Sequence, residues 1–72
     1  MQYLVVFEKS ADGSTWARVP DLPGCFSCGE TIDQAREKIK EAIELHIQVM
    51  KEEGIPIPEV SHLKAELIAL QD

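Results

Sequence analysis

The sequence predicts an α+β fold in the order β-β-β-α-β: an antiparallel meander, one long helix packed on the sheet, and a last short strand. Three observations predict it. Apolar residues alternate along residues 2–9 and 15–19, on either side of an Asp-Gly turn. One stretch, from Thr31 to about Glu53, spaces its apolar residues as a helix does. Residues 63–70 then alternate once more.

The first strand covers residues 2–9. Tyr3, Val5 and Phe7 fall on one face and Leu4, Val6 and Glu8 on the other, in a run rich in the β-branched and aromatic residues that strands prefer. Because both faces are largely apolar, a central strand is expected rather than an edge. Ser10-Ala11-Asp12-Gly13-Ser14 is a turn, with Asp-Gly supplying the positive φ that a tight hairpin needs. In the second strand, residues 15–19, Trp16 and Arg18 lie opposite Thr15, Ala17 and Val19. Pro20-Asp21-Leu22-Pro23-Gly24 makes a rigid bend, and Cys25 to Cys28 a short third strand.

Thr31 and Gln34 match a capping box, Asp33 suits the positive end of the helix dipole, and Gly54 is the stop. The apolar stripe is Ile32, Ala35, Ile39, Ala42, Ile43, His46, Ile47 and Met50, and it should cover one face of the sheet. Ile55-Pro56-Ile57-Pro58 must be extended, since each proline drives its predecessor out of the helical region. In the last strand Leu63, Ala65, Leu67 and Ala69 alternate with Lys64, Glu66, Ile68 and Leu70. A right-handed crossover would lay it beside the first strand, at an edge open to pairing with another chain.

A chain of 72 residues is a single domain, 1–72, of limited core. Domains this small gain stability by oligomerising or by holding a partner, so a homo-oligomer is expected, a dimer or a tetramer. Seven Lys and Arg against 13 Asp and Glu give a formal charge of −6. That balance disfavours phosphate backbones and anionic lipid, and favours a basic protein partner. No stretch is apolar enough to cross a membrane, and residues 1–8 lack the basic start of a signal peptide. A cytoplasmic protein with reduced thiols is expected.

The residues that could carry chemistry read as ordinary ones. Cys25 and Cys28 have C-x-x-C spacing. Their only possible companions on a metal, His46 and His62, match no common finger. A redox C-x-x-C usually opens a helix, whereas this pair precedes Gly29 in a strand, where positions 25 and 28 face opposite ways. His46 lies in the apolar stripe and reads as a packed histidine, and His62 as solvent-facing in a connector. No metal, no cofactor and no catalytic residue are expected.

The short motifs, taken in order, resemble a known family. Val19-Pro20-Asp21-Leu22-Pro23-Gly24-Cys25 is followed by Gly29-Glu30-Thr31, then Ala35, then Glu41-Ala42-Ile43, then Gly54-Ile55-Pro56-Ile57-Pro58. The order and spacing resemble the HicB antitoxins over residues 3–58. The resemblance implies a partial RNase H-like fold and a type II toxin–antitoxin role, in which the antitoxin binds a small basic mRNA-cleaving toxin (HicA-like) and blocks its active site. It assigns structural roles to Pro20, Asp21, Leu22, Pro23, Gly24, Cys25, Gly29, Thr31, Ala35, Ala42, Gly54, Pro56 and Pro58. Many members add a C-terminal DNA-binding domain. None follows in this sequence, so no direct contact with nucleic acid is expected.

An RNase H-like fold also raises a nuclease reading, which needs carboxylates converging on metal ions. The candidates are Glu8, Glu41 and Glu66, and no acid lies mid-strand at Val5-Val6. The expectation is therefore a non-enzymatic binding module. Trp16, Arg18, Leu45, Val49, Glu66 and Ile68 are the candidate partner or subunit contacts. The acidic residues, Asp21 among them, form a possible docking surface for a basic partner. The alternative is an orphan oligomeric protein of the same family with no toxin.

Overall fold

The computed structural model describes residues 2–71. Three strands, β1 (Val6–Lys9), β2 (Thr15–Arg18) and β3 (Phe26–Gly29), form one antiparallel sheet in the order β1-β2-β3, and one helix, α1 (Ile32–Glu52), follows. The α+β class, the meander and the long helix are those read from the sequence.

Local chemistry explains each junction. The Ser10–Ser14 turn closes on a hydrogen bond from the Ser10 N–H to the Ser14 carbonyl at 2.8 Å. The Asp12 carboxylate accepts from the Ser14 N–H at 2.9 Å and from the Ser14 hydroxyl at 2.6 Å. Gly13, at φ 91°, takes the left-handed position. Its register pairs Phe7 with Ala17 and Glu8 with Trp16. Between β2 and β3, successive turns are pinned by the Leu22 N–H on the Val19 carbonyl and the Cys25 N–H on the Leu22 carbonyl, both at 3.0 Å. They tuck Val19, Leu22 and Cys25 inward.

Thr31 caps α1 as its motif predicts, its hydroxyl accepting from the Gln34 N–H at 3.1 Å. Gln34 reaches back to the Glu30 N–H at 2.9 Å, one residue beyond the usual box. The helix ends in a full Schellman arrangement, with the Ile55 N–H on the Met50 carbonyl at 2.8 Å and the Gly54 N–H on that of Lys51 at 3.2 Å. Gly29 lets the helix start lie against β3: a Cβ there would sit 2.7 Å from the Ala35 nitrogen.

The helix lies over β3 and β2. Between them sits a small core of Ala17, Val19, Leu22, Cys25, Ala35 and Ile39, flanked by Tyr3, Val5, Phe7, Ala42 and Ile43. Leu22 is the only large side chain that is fully buried among the described residues. Arg36 crosses from the helix to place its guanidinium 5.6 Å from the Phe7 ring centre.

Two expectations fail together. Residues 63–70 form no strand and pair with nothing among the described residues of the single chain. The last strand therefore does not lie beside the first, and β1, expected at the centre, stands at an edge with β2 in the middle. The cause is visible at the root of this segment. Pro58, whose carbonyl accepts from the Tyr3 hydroxyl at 3.0 Å, and Ser61-His62 are tied to the body, but the chain beyond them leaves it. Leu63, Leu67, Ile68 and Leu70 are 91, 104, 76 and 86% exposed.

Candidate functional site

The six contact residues expected from the sequence fall in three separate places. Trp16 and Arg18 project from β2 onto the face of the sheet that the helix does not cover. Period-two alternation puts Glu8 of β1 and Phe26 and Cys28 of β3 on that face too. The Trp16 and Phe26 ring centres are 5.9 Å apart, tilted by 30°, and the two side chains remain 42 and 58% exposed. Arg18 Nε donates to Glu8 Oε1 at 2.6 Å across the strands. With Ala17 and Lys9 these residues line an open depression of about 520 Å³. An aromatic pair beside an ion pair on a bare sheet face is what a protein contact uses: apolar area with a charged rim.

Leu45 and Val49 stand together on the flank of α1, exposed, lining a second groove with Phe26, Met50 and Ile55. Their neighbour His46 is half-buried in the same groove, packed as the stripe predicts. Glu66 and Ile68 lie apart from both, on the projecting 63–70 segment, with Lys64 Nζ 2.9 Å from Glu66 Oε1. Phe26 and Glu8 were not among the expected contacts. The signal that could have found them is register: both lie across from β2 on the face of Trp16 and Arg18.

Asp21 departs from its expected role. It is not part of an acidic docking surface, because its side chain is only 5% exposed and all its bonds turn inward. One oxygen accepts from the Ser61 hydroxyl at 2.5 Å and lies 2.7 Å from His62 Nδ1. The other accepts from the Ser61 and His62 N–H groups, each at 3.0 Å. The Ser61 hydroxyl foremost, and the His62 donors with it, hold the Asp21 carboxyl well below the usual carboxylate range against the opposing effect of desolvation. His62, expected to face solvent freely, is half exposed but held by this carboxylate.

Asp, Ser and His in contact invite comparison with a hydrolytic triad, and the geometry refuses it. A triad sets carboxylate and hydroxyl on opposite nitrogens of the imidazole. Here the hydroxyl bonds the carboxylate itself, and its nearest imidazole nitrogen is the same Nδ1, at 3.4 Å. The cluster is a latch between the β2–β3 loop and the chain after the helix.

The remaining chemistry is sparse. Cys25 is buried and Cys28 exposed, both as free thiols on opposite faces, and burial pushes the Cys25 thiol up, away from reactivity. Glu8 is paired with Arg18, Glu41 is exposed on the helix, and Glu66 is paired with Lys64, so the three do not converge. Among the described residues no group of three or more His, Cys, Asp or Glu could hold a metal ion, and no helix is long and apolar enough to cross a membrane.

Comparison with known proteins agrees with this geometry. The family model described as "HicB_like antitoxin of bacterial toxin-antitoxin system" matches residues 3–71. A UPF0150 protein of Archaeoglobus fulgidus is 43% identical over 51 residues, 71% of this chain and 74% of its own length. Another from Thermoplasma acidophilum is 43% identical over 58 residues, 81% of this chain and 84% of its own. An uncharacterised 14.9 kDa protein of Haemophilus phage HP1 is 45% identical over 58 residues, and there the match spans only 43% of the longer phage chain. Among solved structures, the N-terminal domain of the Burkholderia pseudomallei antitoxin HicB superposes with a TM-score of 0.72 at 32% identity, covering 82% of this chain and 69% of that one. Motifs, fold and site chemistry meet in one conclusion: this chain belongs to the HicB-like antitoxin family of bacterial toxin–antitoxin systems.

Proposed function

We propose that this chain is a single-domain antitoxin that binds a small basic mRNA-cleaving toxin of the HicA type and occludes its active site, acting as a cytoplasmic homo-oligomer without enzymatic activity of its own. Family membership supports an antitoxin-type role. The observation that carries the reading to a surface is the bare outer face of the sheet, with Trp16 and Phe26 exposed as a pair beside the Arg18–Glu8 bridge. Aromatic residues are frequent binding anchors, and the net charge of −6 favours encounter with a basic partner. Occlusion requires neither a metal nor a nucleophile, in keeping with the inward-turned Asp21 cluster and the scattered acids.

Co-expression with a small basic mRNA-cleaving toxin of the HicA type, taken from the same source cell, tests the reading. The expected result is a stoichiometric complex that weakens as salt rises and in which the partner no longer cleaves RNA. Trp16→Ala should weaken that complex at least tenfold while leaving the chain folded, as hot-spot truncations costing about 2 kcal/mol do. A partner whose RNA cleavage persists with the antitoxin in excess would overturn the proposal.

A further inference from the structure

The segment 63–70 has the pattern of a strand and no strand to pair with. Four of its large apolar side chains are at least three-quarters exposed, an exposure that a free monomer has no reason to keep. The chain is also more extended than its length warrants. Its radius of gyration is 14.0 Å, where about 11 Å is expected for a compact domain of this size. Yet the family match runs through residue 71, so the arm belongs to the domain rather than trailing from it.

The body shows the complementary lack. Among the described residues β1 pairs only with β2, so its other edge is open there, although the two apolar faces of residues 2–9 are those of an interior strand. Near the start of that stretch, Tyr3 with Ile43 and Ile47 of the helix flank, rimmed by Lys40 and Glu44, lines a largely apolar groove of about 470 Å³. The stretch from Gln2 to Lys9, of which Val6–Lys9 is β1, has as many residues as the arm from Leu63 to Leu70, which as a strand would reach about 26 Å and so run past both ends of β1. The arm's root lies at the correct end, with Val60, His62 and Leu63 beside Gln2, Tyr3 and Leu4. The Asp21 latch fixes the departure point at Ser61-His62. From there the arm leaves its own β1 uncovered.

We propose that the occupant of this edge is the arm of a second copy of the chain. Two copies exchange residues 63–70 about a two-fold axis, each arm adding a strand beside the other's β1 and laying Leu63, Ala65, Leu67 and Ala69 into the groove. The exchange makes β1 the interior strand its sequence describes. It removes two open edges in a closed, isologous arrangement. It deepens the oligomer part of the functional reading and is independent of toxin binding, so its test uses the protein alone and can fail without touching the antitoxin role.

The experiment is isotope-filtered nuclear magnetic resonance on an equal mixture of differently labelled full-length chains, with the mass measured in parallel by light scattering. The expected result is a dimer with intermolecular contacts from the Leu67 methyl groups to the Tyr3 ring. The double substitution Leu67→Asp with Ile68→Asp should halve the mass while leaving the amide spectrum of β1–β3 and α1 in place. A monomer, a dimer lacking those contacts, or the same contacts found only within one chain would each overturn the proposal.

Discussion

Residues 2–9 and 63–70 are two eight-residue stretches of similar pattern, apolar in alternation and free of proline and glycine. The first contributes β1, and the second forms no strand in the single chain. The difference lies in what each has within reach. Six residues after β1, across the Asp12-Gly13 turn, β2 supplies a partner in fixed register, so loop closure costs little. The arm follows two prolines and a latch that points it off the body, and it has no hairpin mate. Alternation marks a segment able to be a strand. Whether it becomes one depends on where the preceding residues aim it, and on which chain offers the edge.

Substitutions with the same chemistry in body and arm should separate the two. Leu22→Ala empties the one large, fully buried site and should cost about 2–5 kcal/mol, much of the stability a chain of this size has, read by thermal denaturation. Thr31→Ala removes the cap on Gln34 and should cost about 1 kcal/mol in urea titration. Arg18→Ala breaks a cross-strand pair whose partners are both more than half exposed, and its effect on folding should stay below about 1 kcal/mol. Leu67→Ala, in the arm, should leave the midpoint unchanged in dilute solution and lower it only at concentrations where copies associate. A concentration-independent loss there would place the arm in the body's own core.

The latch can be probed by pH. The folded Asp21 carboxyl lies below its unfolded value, so its contribution is complete above about pH 4 and is lost as pH falls toward the folded value. At pH 3, where an ordinary aspartate is mostly protonated, the Asp21 carboxyl carbon should still show its ionised shift, with the Ser61 and His62 amides unmoved. Asp21→Asn should displace those amides at every pH while sparing the β1–β2 pairing.

Much of the fold was legible because its determinants are local. The Asp12-Gly13 turn, the Thr31-Gln34 cap and the Gly54 stop each act within a few residues, and each is found where the pattern put it. The stripe on α1 was legible too, apart from Ile32, which stays 47% exposed beyond the sheet. The edge position of β1 and the unpaired arm were not legible, because they depend on a tertiary course through Pro56, Pro58 and the latch. Asp21 was hidden for the same reason, its donors lying 40 and 41 residues away. Of the candidate surface, Trp16 and Arg18 could be read from one strand. Phe26 and Glu8 required the register.

The most direct test of the antitoxin reading uses the chain's single tryptophan, which lies on the bare face of the sheet. A small basic toxin of the HicA type from the same source cell is titrated into the protein and into Trp16→Phe, and the difference in emission isolates Trp16. The account predicts a saturable, salt-weakened change in Trp16 emission at a fixed stoichiometry. Saturable binding that leaves Trp16 emission unchanged would contradict the assignment of the outer face, and absence of binding would contradict the antitoxin role itself.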